Sequence, residues 1–590
     1  MTQEKSKNQL SALKHLNHYL LKYKKKLGLG ILFILLTNSF NVLGPVYISK
    51  AIDSLKNSID YKSLVIYSLL IIAFAVGRGL FLFLVRQTVI VLSREIEFDL
   101  RNDLYSHLQK LPLKYFRKNS TGDIMARNTN DINAVRNYLG PGIMYSSNTI
   151  MAFVFIIPIM FALNVKLALI ALLPLPLMSF LVFKMGKKIH NTYTDIQAQY
   201  STLTSRVQEN LSGIRIVKSY GRELFEIDEF NKLNENYYRK NLKLTRYQAF
   251  FYSGMAFFIG LSVVLVIWFG GMEVMKGNLT LGHLAQFLIY VGMLIWPMIA
   301  LGWVINILQQ ASASQIRIMQ IMNESPEIND NSETDNSIQE IKGKIEFKNV
   351  GFNYNTDRKT LENISFSVEP GEILAITGHT GSGKTTLVNL IGRLYETDSG
   401  EILIDGKSIK KIPLKVLRNS IGYVPQETFL FSDTIRNNIG FGVEYFDDEK
   451  IIDAASIAQI RENIEEFPNK FETFVGERGI TLSGGQKQRT SIARALLRRP
   501  QILILDDCLS AVDTQTEDLI LQQLRTVMKE RTSIIISHRI STIKEADSIL
   551  VLKDGNIVEI GNHQQLLLQK GYYQSLYQKQ LLEEELKAIV

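Results

Sequence analysis

Long apolar stretches occupy the first half of the chain, whereas the second half alternates short apolar runs with charged segments. A helix of about 20 apolar residues is long enough to cross the hydrocarbon core of a bilayer. Stretches of this kind lie near residues 27–49, 62–86, 141–163, 165–186, 249–271 and 283–308. The pattern therefore predicts a domain of six transmembrane helices over residues 27–323, preceded by a cytosolic segment at residues 1–26.

Two long polar stretches, at about 87–140 and 187–248, interrupt the apolar pattern and are rich in Lys and Arg. Basic segments favour the cytosolic side of a membrane, so both stretches and both termini are predicted to lie in the cytosol. Helix-breaking residues are few, and we expect the membrane helices to continue into the cytosol. Two short segments interrupt these stretches: Leu111–Phe116, which is followed by Gly122 and Asp123, and Leu211–Gly221. Each interruption indicates either a loop turn or a small docking helix.

The second half of the chain has the pattern of an α/β domain. Residues 324–342 are acidic and polar, which is typical of a linker. From residue 343 to 590, strand-like apolar runs alternate with helical segments and predict a largely parallel sheet. The predicted strands are Ile345–Val350, Ile364–Val368, Ile373–Thr377, Ile502–Leu505, Ser533–Ile536 and Ile549–Leu552.

The formal net charge of +9 is distributed along the flanks of the apolar stretches, as in the four lysines between residues 22 and 26. This placement favours a membrane-topology signal over a nucleic-acid surface. We therefore expect a multi-pass protein of the cytoplasmic membrane with no nucleic-acid partner. The single cysteine, Cys508, excludes an internal disulfide and a multi-cysteine metal site, and its predicted role is that of a small buried side chain.

The segment from residue 378 to 385 follows a strand-like run and precedes the helix-like sequence LVNLIGRLY. Its spacing matches a phosphate-binding loop, in which glycines let backbone N–H groups close around phosphate oxygens. Lys384 is expected to reach the β- and γ-phosphates, and Thr385 to place its hydroxyl on Mg²⁺. ATP and Mg²⁺ are the predicted cofactors. The predicted nucleotide-binding residues here are Gly378, His379, Thr380, Gly381, Ser382, Gly383, Lys384, Thr385 and Thr386.

Two carboxylates, Asp506 and Asp507, follow the aliphatic run Ile502–Leu505. An acid at such a strand end can hold the metal opposite Thr385, which predicts that role for Asp506. Asp507 is a candidate to contact the attacking water, with a helix N-cap as its structural alternative.

The pentapeptide Leu482–Gln486 (LSGGQ) opens a predicted helix, and Ser and Gly at a helix start form a second anion site. Alone, the pentapeptide would indicate an ordinary capped helix. Beside a phosphate-binding loop and an aspartate pair, it predicts nucleotide contacts. The residues concerned are Ser483, Gly484, Gly485 and Gln486.

Together these motifs resemble the ATP-binding cassette family, and the match covers nearly the whole chain. Six spans followed by one cassette is the layout of an exporter half-transporter. The resemblance implies that Tyr354 stacks on adenine and that His538 is the γ-phosphate switch. It also implies that Gln426 contacts Mg²⁺ and couples the cassette to the membrane helices. Further segments with family counterparts are Thr473–Gly479, Ser510–Asp513 and the two coupling regions at Leu111–Phe116 and Leu211–Gly221.

One position departs from the family pattern, which generally has glutamate where this chain has Asp507. Loss of one methylene withdraws the carboxylate by ~1.5 Å, and a misplacement of this size can cost on the order of 100-fold in rate. The chain thus resembles the degenerate-site subunit of bacterial heterodimeric multidrug exporters. Its Ser483 and Gly485 would then complete the site of a second half-transporter. Because His538 is retained, a slow homodimer is the alternative.

The predicted function is ATP-driven export of amphipathic or hydrophobic compounds across the cytoplasmic membrane. The alternatives are a lipid flippase and an ATP-binding subunit that gates a partner without pumping. In the second span, Arg78 indicates either a water-lined cavity or a side chain that snorkels. Four residues of the last span are candidates to line a substrate cavity, with packing or lipid contact as the structural alternative: Phe287, Tyr290, Met293 and Trp296.

Overall fold

The computed structural model describes residues 12–57, 61–354, 360–479, 481–512 and 514–589. It divides into two compact units. The first comprises Met1–Gln109 and Ser120–Glu324, and the second comprises Lys110–Asn119 and Ser325–Val590. A short piece of the first long polar stretch therefore packs with the C-terminal half of the chain.

Six helices of the first unit are long and apolar enough to cross a membrane. We number them span 1 (Lys24–Leu55), span 2 (Tyr61–Leu108), span 3 (Thr121–Leu163), span 4 (Val165–Ser212), span 5 (Glu223–Met275) and span 6 (Leu281–Met322). They contain 32 to 53 residues, whereas about 20 suffice to cross a bilayer. The surplus in spans 2 to 5 falls in the long polar stretches, as the sequence predicts.

Several spans contain changes in helical geometry. The π-helical turns at Arg86–Ile90, Arg127–Asp131 and Tyr138–Gly142 separate α-helical segments of spans 2 and 3. The α-helices of the first unit are Asn17–Lys22, Lys24–Asn57, Tyr61–Val85, Val91–Leu108, Thr121–Ala126, Ile132–Asn137, Ile143–Leu163, Val165–Leu172, Pro174–Ser212, Ile214–Ser219, Glu223–Met275 and Leu281–Met322. Spans 3 and 4 meet at the extended residue Asn164, whose side chain caps span 4 by accepting from Leu167 N at 2.9 Å.

A buried carboxylate joins spans 3 and 6 beyond the apolar segment. Asp131 is almost fully buried and accepts hydrogen bonds from Ser314 Oγ (2.9 Å) and from Arg317 Nε (2.8 Å). Its charge is also paired with the Arg317 guanidinium through Nη2. A buried carboxylate is expensive without such partners, so this cluster fixes the separation of the two helices.

In the second unit, twelve strands form three sheets within the described residues. They are β1 (Ile345–Phe352), β2 (Leu361–Val368), β3 (Ile373–Gly378), β4 (Ser399–Ile404), β5 (Lys407–Ser408), β6 (Ile421–Val424), β7 (Asp433–Thr434), β8 (Phe474–Val475), β9 (Ile502–Asp506), β10 (Thr532–Ile536), β11 (Ser548–Lys553) and β12 (Asn556–Gly561). The sheet orders are β2-β1-β4-β5, β12-β11-β3-β10-β9-β6 and β7-β8. All pairings of the six-stranded sheet are parallel except that of β12 with β11.

Both faces of the central strands are buried, which explains their continuous aliphatic sequences. In β9, Ile502 and Ile504 pack into one hydrophobic core, and Leu503 and Leu505 pack into the other. The surrounding α-helices are Lys384–Ile391, Leu414–Asn419, Ile435–Gly440, Asp448–Ile457, Arg461–Glu465, Gly484–Leu497, Thr514–Met528, Ile540–Ile543, His563–Leu568 and Tyr572–Ile589, with Leu113–Lys118 contributed by the N-terminal half. The predicted fold class, a six-helix membrane domain followed by an α/β domain, is confirmed.

The polar stretch at residues 325–342 is part of the second unit and is held there by specific hydrogen bonds. Asp330 Oδ1 accepts from Leu414 N at 2.9 Å, and Asp335 N donates to Lys411 O at 2.8 Å. A carboxylate that suits a solvated linker can equally accept a hydrogen bond from a backbone N–H, so composition alone did not show this attachment.

We predict that Asp131→Asn lowers the thermal stability of the membrane unit. The substitution removes the charge that pairs with Arg317, a loss of ~1–2 kcal/mol, or about 2 to 6 °C in melting temperature. Differential scanning fluorimetry of the purified protein in detergent measures the shift. The matched control is Asp228→Asn, because Asp228 pairs with Lys232 where both side chains are more than 60% exposed. Equal shifts for the two variants would contradict the prediction.

Candidate nucleotide-binding site

The phosphate-binding loop, His538, the aspartate pair and Gln426 lie at the ends of four neighbouring parallel strands, β3, β10, β9 and β6. Ile536 at the end of β10 lies opposite Ile376 of β3 and opposite Asp506 at the end of β9. Parallel strands in register present their carboxyl ends at one edge of the sheet. The segments that follow them therefore begin side by side at this edge.

Three glycines shape the loop after β3. Gly378, Gly381 and Gly383 have φ values of +149°, +82° and +101°. Residues that carry a Cβ atom rarely adopt such angles. At Gly378 a Cβ atom would also lie 2.1 Å from the backbone oxygen of Leu552. The loop thus needs glycine both for its left-handed turns and for its close approach to the neighbouring strand.

Lys384 lies across this loop. Its Nζ donates to Gly378 O and to His379 O, both at 2.9 Å. Burial lowers the pKa of Lys384, against the opposing effect of Asp507 and Asp506. The ammonium group is therefore held beside the loop that would surround phosphate.

Two other predicted loop residues take different environments. Ser382 is fully buried, and its Oγ has no hydrogen-bond partner within the described residues, which fits a loop shaped to receive an acceptor. His379 points elsewhere: its Nε2 lies 3.4 Å from Asp554 Oδ1, and its Nδ1 lies 3.0 Å from Thr380 O. The predicted nucleotide contact of His379 would therefore have to come from its backbone.

Asp506 and Thr385 face each other as the sequence predicts. Thr385 Oγ1 donates to Asp506 Oδ1 at 3.3 Å, and Tyr423 OH donates to Asp506 Oδ2 at 3.4 Å. Asp506 is almost fully buried, and burial raises the pKa of its carboxyl even with these hydrogen bonds. A hydroxyl and a buried carboxylate in this arrangement are the oxygen donors that suit Mg²⁺.

Asp507 contacts Gln426, which follows β6, and Ile536 at the end of β10. Its Oδ2 accepts from Gln426 Nε2 at 3.3 Å, and its N–H donates to Ile536 O at 2.9 Å. The next helix begins only at Thr514, so Asp507 is not the N-cap of that helix. Its φ of +46° lies in the left-handed region, which aspartate tolerates better than most residues.

The pKa values of Asp507 and of its neighbour His538 are both shifted. Burial raises the pKa of Asp507, while His538, Lys384 and Gln426 oppose the rise. Burial, and then the charge of Lys384, lowers the pKa of His538 below its usual value. His538 is therefore neutral near pH 7 and can accept or donate a hydrogen bond there.

These groups line one cavity of about 290 Å³. Its walls also include Thr360 and Ile536, which sequence analysis did not identify. The lining residues are Tyr354, Thr360, Thr380, Gly381, Gly383, Lys384, Thr385, Thr386, Gln426, Asp506, Asp507, Ile536 and His538. The structure thus brings the loop, both aspartates, Gln426 and His538 together.

The LSGGQ segment Leu482–Gln486, called the signature below, is absent from the described lining of this cavity. Ser483 and Gly484 are exposed at the start of the helix Gly484–Leu497. Ser483 Oγ accepts from Gln486 N at 3.2 Å, and Gln486 Oε1 accepts from Ser483 N at 2.9 Å, which together form a capping box. The signature is therefore a capped helix start that presents an exposed surface.

The signature helix also holds the loop after β9. Gln488 Oε1 accepts from Ala511 N at 3.0 Å, and its Nε2 donates to Ser510 Oγ at 3.3 Å. Asp513, predicted to belong to this loop, lies outside the described residues. Cys508 is buried, and burial raises the pKa of its thiol, consistent with the predicted packing role.

Tyr354 lines the cavity, and its neighbour Arg117 was not predicted from the sequence. Its hydroxyl donates to Thr386 Oγ1 at 3.1 Å. The Arg117 guanidinium lies 4.7 Å from the Tyr354 ring centroid and donates to Tyr395 OH at 3.3 Å. Arg117 directly follows the predicted coupling segment Leu111–Phe116, and that adjacency was the available signal. Tyr423 was likewise signalled only by its place in the strand before Gln426.

Comparison with known proteins agrees with this geometry. The model of the ABC transporter transmembrane region matches residues 27–298, and the ABC transporter model matches residues 361–510. A probable multidrug resistance ABC transporter ATP-binding/permease protein of Bacillus subtilis is 36% identical over 575 residues, covering 97% of this chain and 98% of that protein. This chain belongs to the ABC transporter family. It has the six-span and single-cassette layout of an ABC exporter half-transporter and is an integral membrane protein.

This ABC half-transporter is also similar to a lipid flippase and to an exporter of known structure. An ATP-dependent lipid A-core flippase of Syntrophus aciditrophicus is 40% identical over 497 residues, covering 84% of this chain and 82% of the flippase. A solved structure of a bacterial Atm1-family ABC exporter with ATP bound superimposes with a TM-score of 0.78 at 28% identity. The match covers 94% of this chain and 98% of the solved one. The cavity described above thus belongs to an ATP-binding domain, and the chain is an ATPase coupled to transport.

We predict that Gly378→Ala abolishes ATP binding by this ABC transporter. The added Cβ collides with a strand backbone, so the phosphate-binding loop cannot keep its shape. Binding of a fluorescent ATP analogue to the full-length protein in detergent measures the loss. Gly406→Ala is the matched control, because Gly406 also has a positive φ (+76°) but open space around it. It should cost ~1 kcal/mol in stability and leave ATP binding intact; retained binding by Gly378→Ala would refute the steric argument.

Proposed function

We propose that this chain is one half of an exporter of amphipathic or hydrophobic compounds in the cytoplasmic membrane, paired with a second half-transporter. Residues 27–323 would cross the membrane, residues 324–342 link the halves, and residues 343–590 bind ATP in the cytosol. The observation that carries the proposal is the incomplete nucleotide cavity. It contains Tyr354, most of the phosphate-binding loop, both aspartates, Gln426 and His538, whereas the signature is absent from its lining and presents Ser483 and Gly484 on an exposed surface.

The proposal assigns the site residues by what their positions allow. Lys384 and the loop N–H groups would bind the phosphates, and Tyr354 the adenine ring. Thr385, Asp506 and Gln426 would hold Mg²⁺, which when bound supplies positive charge beside the transferred phosphoryl group. Asp507 and His538 would orient the attacking water and the γ-phosphate. Their contacts in the cavity support these roles, because nucleotide would lie between groups that are already buried and aligned.

Exposed apolar side chains on the second cytosolic stretch are evidence for a second chain. Residues around the turn from span 4 to span 5 have more than half of their surface exposed, which is unusual for apolar groups outside the bilayer. They are Leu211, Ile216, Tyr220, Leu224 and Ile227. The corresponding piece of the first stretch, Lys110–Asn119, packs within the second unit of this chain. We infer that the second stretch docks on the cassette of the other half-transporter.

The hydrolytic weakness of this chain's own site is proposed from the length of Asp507. Its carboxylate reaches Gln426, yet it ends one methylene short of a glutamate at the same position. The positive φ at Asp507 gives aspartate a conformational advantage there, so the substitution is compatible with the local backbone. We infer a heterodimer in which hydrolysis occurs mainly at the site completed by Ser483, Gly484 and Gly485 of this chain.

The substrate class is proposed from the membrane unit. Phe287 and Tyr290 are fully buried, and Tyr290 OH donates to Val42 O at 3.0 Å, so packing explains both. Trp296 is 61% exposed, and Arg78 is also exposed. These surface groups are available to a lipid or to an amphipathic compound. The similarity to a multidrug resistance protein favours drug-like compounds, and the similarity to a flippase keeps lipid transport as the alternative.

The proposed function is tested by transport into sealed vesicles that contain this chain and the product of an adjacent gene of the same layout. A hydrophobic dye should accumulate against its gradient only with ATP and Mg²⁺. Movement of labelled lipid without dye transport would favour the flippase. Dye movement down its gradient without ATP turnover would indicate a gate and overturn active export.

We predict that the chain alone hydrolyses ATP slowly and that Asp507→Glu raises the rate by about 10- to 100-fold, because the longer carboxylate reaches the water. Steady-state phosphate release from the purified full-length chain measures this. Asp507→Asn is the matched control, since it keeps the side-chain length and lacks the base. Addition of the second half-transporter should raise turnover of the wild-type pair. Rapid wild-type turnover by the isolated chain would exclude a weak site.

A further inference from the structure

The loop that carries His538 is held by a residue from the last helix of the chain. Gln580 Oε1 accepts from Ile540 N at 2.9 Å, and Gln580 Nε2 donates to His538 O. Gln580 follows His538 by 42 positions. One side-chain amide thus satisfies two backbone groups on either side of Arg539.

Both backbone groups need such a partner. Ile540 is the first residue of the short helix Ile540–Ile543, so its N–H has no acceptor within that helix. The helix has no side-chain cap from Arg539, its N-cap residue. The His538 carbonyl points out of β10 after the sheet pairing has ended. The Gln580 amide therefore sets the path of the main chain between His538 and Ile540.

Two other contacts hold this loop: the Arg539 N–H donates to Ser537 Oγ at 3.0 Å, and a buried carboxylate binds its side chains. Glu517 is buried, accepts from Thr542 Oγ1 at 2.7 Å and pairs with the Arg539 guanidinium. These contacts fix the loop beyond His538. Gln580 is the residue that binds the His538 carbonyl itself, and its removal would take away that direct restraint on the backbone that carries the imidazole.

The helix that carries Gln580, Tyr572–Ile589, is anchored where it begins. Tyr573 is fully buried, its hydroxyl lies 2.7 Å from His563 Nδ1, and its N–H donates to Glu559 Oε2 at 3.0 Å. Leu576 and Tyr577 pack against the core one turn before Gln580. The amide is thus presented from a rigid support, as a positioning group requires.

We propose that Gln580 is a positioning residue that orients His538 toward the γ-phosphate, and that the C-terminal helix is therefore part of the nucleotide site. The inference rests on the proposed role of His538. Gln580 touches no nucleotide itself. It acts on the rate of hydrolysis through the histidine, and leaves the affinity for ATP to the phosphate-binding loop.

The test is single-turnover hydrolysis of γ-labelled ATP by the site built on this chain's phosphate-binding loop. The full-length chain carries Asp507→Glu to make the rate measurable, and the second half-transporter has its own phosphate-binding-loop lysine replaced so that its site is silent. Gln580→Met keeps the length and helix propensity of the side chain but removes both hydrogen bonds. We expect it to slow hydrolysis about 10-fold, with ATP affinity changed less than ~2-fold.

Three further variants separate positioning from packing. Gln580→Glu keeps the acceptor for Ile540 N–H and should fall between wild type and Gln580→Met. Gln578→Met, on the exposed face of the same helix, should hydrolyse at the wild-type rate. His538→Ala is the reference for loss of the switch.

The outcomes distinguish this inference from the function on which it rests. If His538→Ala slows hydrolysis and Gln580→Met does not, the positioning role is wrong and the switch role stands. If neither variant changes the rate, both the switch and its positioning are overturned. Equal loss of ATP affinity and rate in Gln580→Met would assign Gln580 to general stability and refute the proposal.

Discussion

The pairing of β10 with both β3 and β9 places Ile536 opposite Ile376 and Asp506, and the candidate site depends on this register. Each of these strands ends at the same edge of the sheet. The phosphate-binding loop, the aspartate pair and His538 are therefore neighbours, although 160 positions separate Gly378 from His538. A shift of one residue in a parallel pairing would turn the following side chains away from one another. The two hydrophobic cores that cover the sheet hold the register.

Burial at this edge explains the electrostatic character of the cavity. Lys384 and Asp506 are buried and Asp507 is half-buried, so burial disfavours each charge and the opposite charges compensate in part. Such a site is ready to bind a highly charged ligand, since fixed groups replace solvent around it. The same burial keeps His538 neutral, a state in which its imidazole can exchange hydrogen bonds with a phosphate oxygen.

Much of the fold and of the candidate site could be predicted from the sequence. Long apolar runs determine the membrane helices, and the glycines of the loop after β3 are required by their own backbone angles. Other features could not be predicted, because they depend on residues distant in the chain. Arg117 and Tyr423 were signalled only by the motifs next to them, and the contacts of Arg117 with Tyr354, of Tyr423 with Asp506 and of Gln580 with the His538 loop join distant parts of the chain. His379 and Tyr290 show the converse, since the fold directed their side chains away from the roles that their positions suggested.

The sequence by itself determined the spans, the α/β pattern and the candidates for binding phosphate. Each of these follows from local spacing, from hydropathy or from the conformational freedom of glycine. Only the tertiary structure decided which groups share the cavity and which do not. It brings Gln426 to Asp507 and leaves the signature exposed, because strand register and helix packing set these distances. The physical reason is that local chemistry fixes what a residue can do, whereas long-range packing fixes which partner it meets.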